Sequence, residues 1–144
     1  MSMKNPLNSF LLSEQALSET TARTTLADSA HGAHVIFIGT VRNLSKGERV
    51  SHLEFEAYDP MVFRVLEDIA ADLRKQFGVF GVLLHHRIGR AEVGDAAVIA
   101  GVSSIHRAEA FAACAELMNR LKTSVPIWKK EHTAAGAIWV SQTP

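Results

Sequence analysis

The segment from Asp59 to Gly78 constrains the fold more than any other. Val62, Val65, Leu66, Ile69, Leu73 and Phe77 recur there at helical spacing, so a helix in this place carries one apolar face that must be covered. Asp59 is expected to cap its first free N–H groups, Pro60 suits the first helical position because it has no N–H to lose, and Gly78 stops it. A second helix is expected over residues 106–123, with Ala108, Phe111, Ala112, Ala115, Met118 and Leu121 as its apolar stripe. Pro126 excludes its continuation.

Strands supply what these helices cover. Residues 33–41 (AHVIFIGTV) are β-branched and apolar, as in a well-buried strand, and residues 43–48 form the polar loop after it. Over residues 50–58, Leu53, Phe55 and Ala57 alternate with His52, Glu54 and Glu56, the period of a half-buried antiparallel-type strand. Strands over residues 79–88 and 96–103 flank a turn at 92–95, and two short strands, 127–131 and 137–140, enclose a turn at 134–136. Near the N-terminus, Phe10 to Leu12 suggests a short strand, Ser13 a cap for a helix reaching Leu26, and His31-Gly32-Ala33 a turn. The mixture predicts an α+β fold, a mainly antiparallel sheet with two principal helices packed on it.

At 144 residues and 47% hydrophobic content, the chain suits one domain over residues 1–144, with no repeat or linker to divide it. The single cysteine, Cys114, has no partner for a disulfide and falls among apolar helix positions, which suits a core role. Neither a leader nor an apolar run of about 18 residues is seen, so a cytoplasmic location is expected. Fifteen basic residues balance fifteen acidic ones, which argues against nucleic-acid binding through a broad positive field. Any anion site is therefore local.

Three places could hold such a site, each with a plainer alternative. Lys122 and Lys129 bracket an apolar, proline-stiffened loop, the kind of surrounding that depresses a lysine pKa toward catalytic use, although a surface strand with solvated lysines reads the same way. His106-Arg107 falls where a strand gives way to a helix, a seat for phosphate or carboxylate or else an ordinary polar helix start. Arg42 ends an apolar strand after Gly39, poised for a ligand or for an ion pair to Glu54 or Glu56. No metal is expected: His85 and His86 point to opposite faces of a strand, and no Cys pattern or HExxH supports them or His31 and His34. Phosphate-loop and serine-hydrolase motifs are missing as well.

The ordered set Gly39-Thr40-Val41-Arg42, Glu56-Ala57-Tyr58 with Pro60-Met61, His86-Arg87-Ile88-Gly89, Val93-Gly94-Asp95, Ser104 to Arg107 with Ala110-Phe111, Leu121-Lys122 and Pro126 to Glu131 resembles the large, catalytic subunit of molybdopterin synthase. The likeness covers roughly residues 32 to 140, with residues 1–31 matching loosely, and Pro-Ile-Trp-Lys-Lys-Glu is its most distinctive piece. It implies a hammerhead-like α/β fold and a sulfurtransferase of molybdenum cofactor biosynthesis that converts cyclic pyranopterin monophosphate to molybdopterin. The implied sulfur donor is the Gly-Gly thiocarboxylate of a small ubiquitin-like subunit, on a central dimer of large subunits within a heterotetramer, and no cofactor or metal is implied. The family lysines correspond to Lys122 and Lys129 as catalytic residues. Substrate contacts correspond to Thr40, Val41, Arg42, His106, Arg107, Lys130 and Glu131. One departure is the lack of a basic residue after Trp139-Val140, where Ser141 to Pro144 follow.

A straight helix separates His106 from Lys122 by roughly 24 Å. One small substrate scarcely bridges that, so either the helix starts late and bends back or the two ends belong to sites completed across a dimer; the shared site is the expectation, with His106 and Arg107 facing Lys122 of a second copy. The alternatives of another class are a scaffold that docks a ubiquitin-like protein without catalysis and a plain phosphate-ligand binder.

Overall fold

The computed structural model describes residues 7–140. In chain order its elements are β1 (Asn8–Ser13), α1 (Glu19–Leu26), β2 (Ala33–Thr40), β3 (Leu44–Ser45), β4 (Glu48–Ala57), α2 (Asp59–Phe77), β5 (Gly81–Arg87), β6 (Gly89–Glu92), β7 (Ala96–Ser104), α3 (Arg107–Ser124), β8 (Ile127–Thr133) and β9 (Gly136–Val140). They make the expected α+β fold, but with two sheets. One has the order β1-β5-β7-β2, and the other β3-β4-β8-β9 with β6 also on β4. All pairings are antiparallel except β1 with β5, a parallel pair that the short connections did not suggest. Among the described residues, no helix is long and apolar enough to cross a membrane.

β5 and β7 are buried on both faces because each face is covered. Val82, Leu84, Val98, Ala100 and Val102 meet the apolar sides of α2 and α3, whereas Leu83 and Ile99 meet Ala22 and Leu26 of α1. Gly101 is fixed by that second layer, since a Cβ there would stand 2.5 Å from Cδ1 of Leu26. Gly101→Ala is therefore expected to cost about 1–3 kcal/mol through overpacking, read as a lower denaturant midpoint in equilibrium unfolding.

α2 runs as the stripe demands, burying Val62, Leu66, Ile69 and Leu73, and ends at Gly78 in the left-handed conformation (φ 69°). Its start differs from expectation. The helix already includes Asp59, the cap position is Tyr58, and no side chain caps it; the Tyr58 carbonyl instead accepts from Val62 N–H at 3.0 Å. In α1 the cap is Ser18, whose Oγ accepts from Thr21 N–H at 3.0 Å, not Ser13. Ser13 closes β1, and its Oγ accepts from Gln15 N–H at 2.9 Å in the turn that follows.

The stripe of α3 is the larger correction. Ala110, Ala113, Cys114, Leu117 and Leu121 are buried, while Ala108, Phe111, Ala112 and Ala115 are exposed and Met118 is half-buried. Alanines surround this helix, so apolar spacing does not single out one face; the smallest side chains win because they let α3 lie close on β7 and β2. Cys114 takes the expected core role, with its thiol donating to the Ala100 carbonyl at 3.7 Å.

Candidate active site

The site forms where the last turn of α3 meets strands of both sheets. Pro126 ends the helix, and the chain reverses through Val125 and Pro126 into β8. That reversal brings Lys122 and Lys129 to the wall of one cleft of about 200 Å³, which Phe37, Phe55, His86 and Met118 also line. β8 pairs with β4 so that Phe55 lies opposite Lys129 and Leu53 opposite Glu131. Strand alternation then turns Lys129 and Glu131 to the same side.

A smaller cleft of about 60 Å³ adjoins the first, sharing Thr40, Leu53 and Lys129 with it and adding Arg42 and Glu131. Thr40 reaches both because the β2–β7 register slips after Gly39: Gly39 faces Val98, yet Thr40 faces Ala96. The unmatched residue is Ala97, and such a bulge re-aims the neighbouring side chains. Gly39 admits no side chain there, since a Cβ would lie 2.9 Å from Cγ1 of Val98. Val41 is buried and lines neither cleft; its N–H donates to the Asp95 carbonyl and its carbonyl accepts from Gly94 N–H. Arg42 makes no ion pair to Glu54 or Glu56 among the described residues; Glu54 turns to His52 and His132.

Lys129 is the perturbed group. Burial is the largest cause holding its ammonium below the usual lysine range; Glu131 opposes this, and Lys122 and Arg42 add like-charge repulsion. Four charged side chains thus act on one another in a half-covered, partly apolar space. Such a set can bind an anion, and its desolvated lysine gives up a proton more readily than a solvated one.

Not every expected residue arrives. Lys130 points to the opposite face of β8, its Nζ 4.9 Å from the centroid of the Trp139 ring. His106 and Arg107, the cap and first residue of α3, are exposed and line neither cleft. The residues following Val140 lie outside the described residues.

His86 is a lining residue that sequence reasoning set aside as merely structural. It is buried, its Nδ1 bonds to the Arg87 carbonyl at 2.7 Å, and Phe55 packs edge-on at 4.9 Å. The signal was strand parity: His85, on the other face, bonds instead to Ser9 Oγ at 2.9 Å. Burial lowers the His86 pKa to about 4, against the hydrogen bond to the Arg87 carbonyl that raises it. Since its folded pKa lies below the unfolded value, its neutral form supports stability above about pH 6.5, and that support is lost as pH falls toward 4. His86→Gln is expected to remove about one proton from the uptake on unfolding in that window, as measured by the slope of stability against pH.

Residues 12–124 match the family model described as MoaE protein. The chain is 45% identical over 136 residues to the molybdopterin synthase catalytic subunit of Nostoc sp., covering 93% of this chain and 82% of that one. With catalytic subunit 1 of molybdopterin synthase from Mycobacterium tuberculosis it shares 41% identity over 133 residues, 92% of this chain and 90% of that one. The crystal structure of molybdopterin synthase from Staphylococcus aureus superposes with a TM-score of 0.83 at 34% identity, covering 96% of this chain and 98% of that one. The chain therefore belongs to the MoaE family of molybdopterin synthase catalytic subunits.

Proposed function

We propose that this protein is a sulfurtransferase of molybdenum cofactor biosynthesis, acting in the cytoplasm, that converts cyclic pyranopterin monophosphate to molybdopterin. The sulfur comes from the thiocarboxylated Gly-Gly terminus of a small ubiquitin-like carrier. The observation that carries this function is the convergence of Lys122, Lys129, Arg42 and Glu131 on two adjoining clefts that share Lys129, in a chain of this family. Lys129, desolvated and pressed by two like charges, gives up its proton more readily than a solvated lysine and is suited to proton transfer. Lys122 remains beside it to stabilise the negative charge that develops when sulfur adds to the pterin. Arg42, a forked donor at the polar end of the cleft, suits the phosphate.

The cleft is only part of the site. At about 200 Å³ it is smaller than the roughly 300–1,000 Å³ usual for a small-molecule pocket. His106 and Arg107 lie at the far end of the 18-residue helix whose last turn holds Lys122. Beside them Ile105 and Phe111 are 64% and 63% exposed, an apolar surface of the kind that another chain covers. The cleft of one protomer is completed by His106 and Arg107 of a second, in a dimer that binds two carriers as a heterotetramer.

A non-catalytic scaffold for a ubiquitin-like protein is the competing function, and Lys122→Ala separates the two. In the enzyme this variant still captures a Gly-Gly-ended carrier in a pulldown but transfers almost no sulfur. Unchanged turnover would reject the catalytic assignment, and lost capture with a folded chain would reject the carrier-docking one.

A further inference from the structure

The outward face of the β4–β8 pair, across the sheet from the cleft, carries a group of side chains that sulfur transfer does not use. His52 and Glu54 alternate on β4 and so share this face, and His132 of β8 lies directly opposite His52. The two imidazole rings stack with centroids 4.1 Å apart and planes inclined by 15°. One nitrogen from each ring and one Glu54 oxygen all lie within 4.8 Å of one another. Nε2 of His132 is 2.7 Å and Nε2 of His52 3.9 Å from Oε1 of Glu54.

Ser51 tells where the His52 proton is. Its Oγ donates to the His132 main-chain carbonyl at 3.1 Å, which uses its only hydrogen. The 3.0 Å contact of the same Oγ with Nδ1 of His52 therefore has the ring as donor. With its proton on Nδ1, His52 turns a bare lone pair at Nε2 toward Glu54 and His132. Nε2 of His132 is buried and, although 2.7 Å from the Glu54 oxygen, lacks the orientation of a hydrogen bond to it. A histidine held at one ring nitrogen by a neighbour while the other faces further lone-pair donors is the arrangement of a metal ligand.

We propose that His52, His132 and Glu54 bind a divalent transition-metal ion of the zinc class, with Ser51 as the residue that orients His52. Two imidazoles and a carboxylate suit such an ion, and a water completes a tetrahedron. Ligand atoms around zinc stand roughly 3.4 Å apart, a separation that the present 2.7 and 3.9 Å bracket, and Glu54 is the freest member at 41% exposed. Arg90 on β6, whose positive charge acts on His52, is itself ion-paired to Glu92, which offsets that charge. The ion would join β8 to β4 three residues beyond Lys129 and on the other face. Its role is to staple the strand that carries the cleft lysine, independent of the sulfur-transfer chemistry.

The test is calorimetric titration of the full chain, stripped by chelator, with zinc alone. One ion should bind per chain, raising the thermal midpoint reversibly, and cobalt in its place should give the visible bands of a tetrahedral site. His132→Ala should abolish binding, and Ser51→Ala, at an exposed position that leaves the fold intact, should weaken it roughly 10–100-fold. Failure to bind zinc stoichiometrically up to millimolar concentration would overturn the proposal. So would binding undiminished in folded His132→Ala or Ser51→Ala chains.

Discussion

Lys129→Ala is expected to lower molybdopterin formation by about 10²–10⁴-fold, the range for losing a positioned proton-transfer group, while carrier binding stays near that of the unmodified chain. The expectation rests on placement: Lys129 is common to both parts of the cleft and is desolvated there. The sign of its pH dependence follows from the causes. Burial, Lys122 and Arg42 all disfavour the ammonium, so the neutral amine forms at a lower pH than in a solvated lysine, and activity should rise with pH through a value below the usual lysine range. Glu131 is the one group that raises the Lys129 pKa; Glu131→Gln should move the rise further down. A pre-steady-state pH profile of both chains measures this, and a profile centred at the solvated-lysine value would show that the amine is not the titrating group.

Arg107→Ala and Lys122→Ala, each alone, should be nearly inactive, yet mixing equal amounts should restore about one quarter of the unmodified activity. The fraction follows from two-fold symmetry. Half of the randomly exchanged dimers are hybrids, and in each hybrid one of two sites receives Lys122 from one protomer and Arg107 from the other, both intact. Product formation in the mixture, with subunit exchange shown by mass-tagged chains, is the measurement. No recovery after exchange would place His106 and Arg107 outside the shared site and leave the cleft to be completed by the carrier alone.

Much of this organisation was legible because local chemistry and global fold agree. α2 was readable by its stripe and by Gly78, though not by its cap, and the alternation of Leu53 and Phe55 named the face of β4 that meets the cleft. Lys122 and Lys129 could be paired because only a proline turn separates helix from strand. The face of α3 was not legible, because alanine and cysteine bury as readily as phenylalanine where a helix must approach a sheet closely, and Phe111 stays outside. The parallel pairing of β1 with β5 joins Asn8 to Val82 and leaves no local trace. Lys130 grouped with Lys129 and Glu131 by sequence, yet the two-residue period of a strand sends it to Trp139. The same register brings His132 opposite His52, where a search for sequence-adjacent histidines could not look.

The central claim is that this cleft installs sulfur, and reconstitution tests it most directly. The purified chain, a carrier bearing a C-terminal Gly-Gly thiocarboxylate, and cyclic pyranopterin monophosphate are mixed, and the dithiolene product is quantified against consumed thiocarboxylate. The account predicts molybdopterin formed with two thiocarboxylates consumed for each pterin, and about 10²–10⁴-fold less formed in the same time by the Lys129→Ala chain. A folded, carrier-bound protein that yields no dithiolene would contradict it.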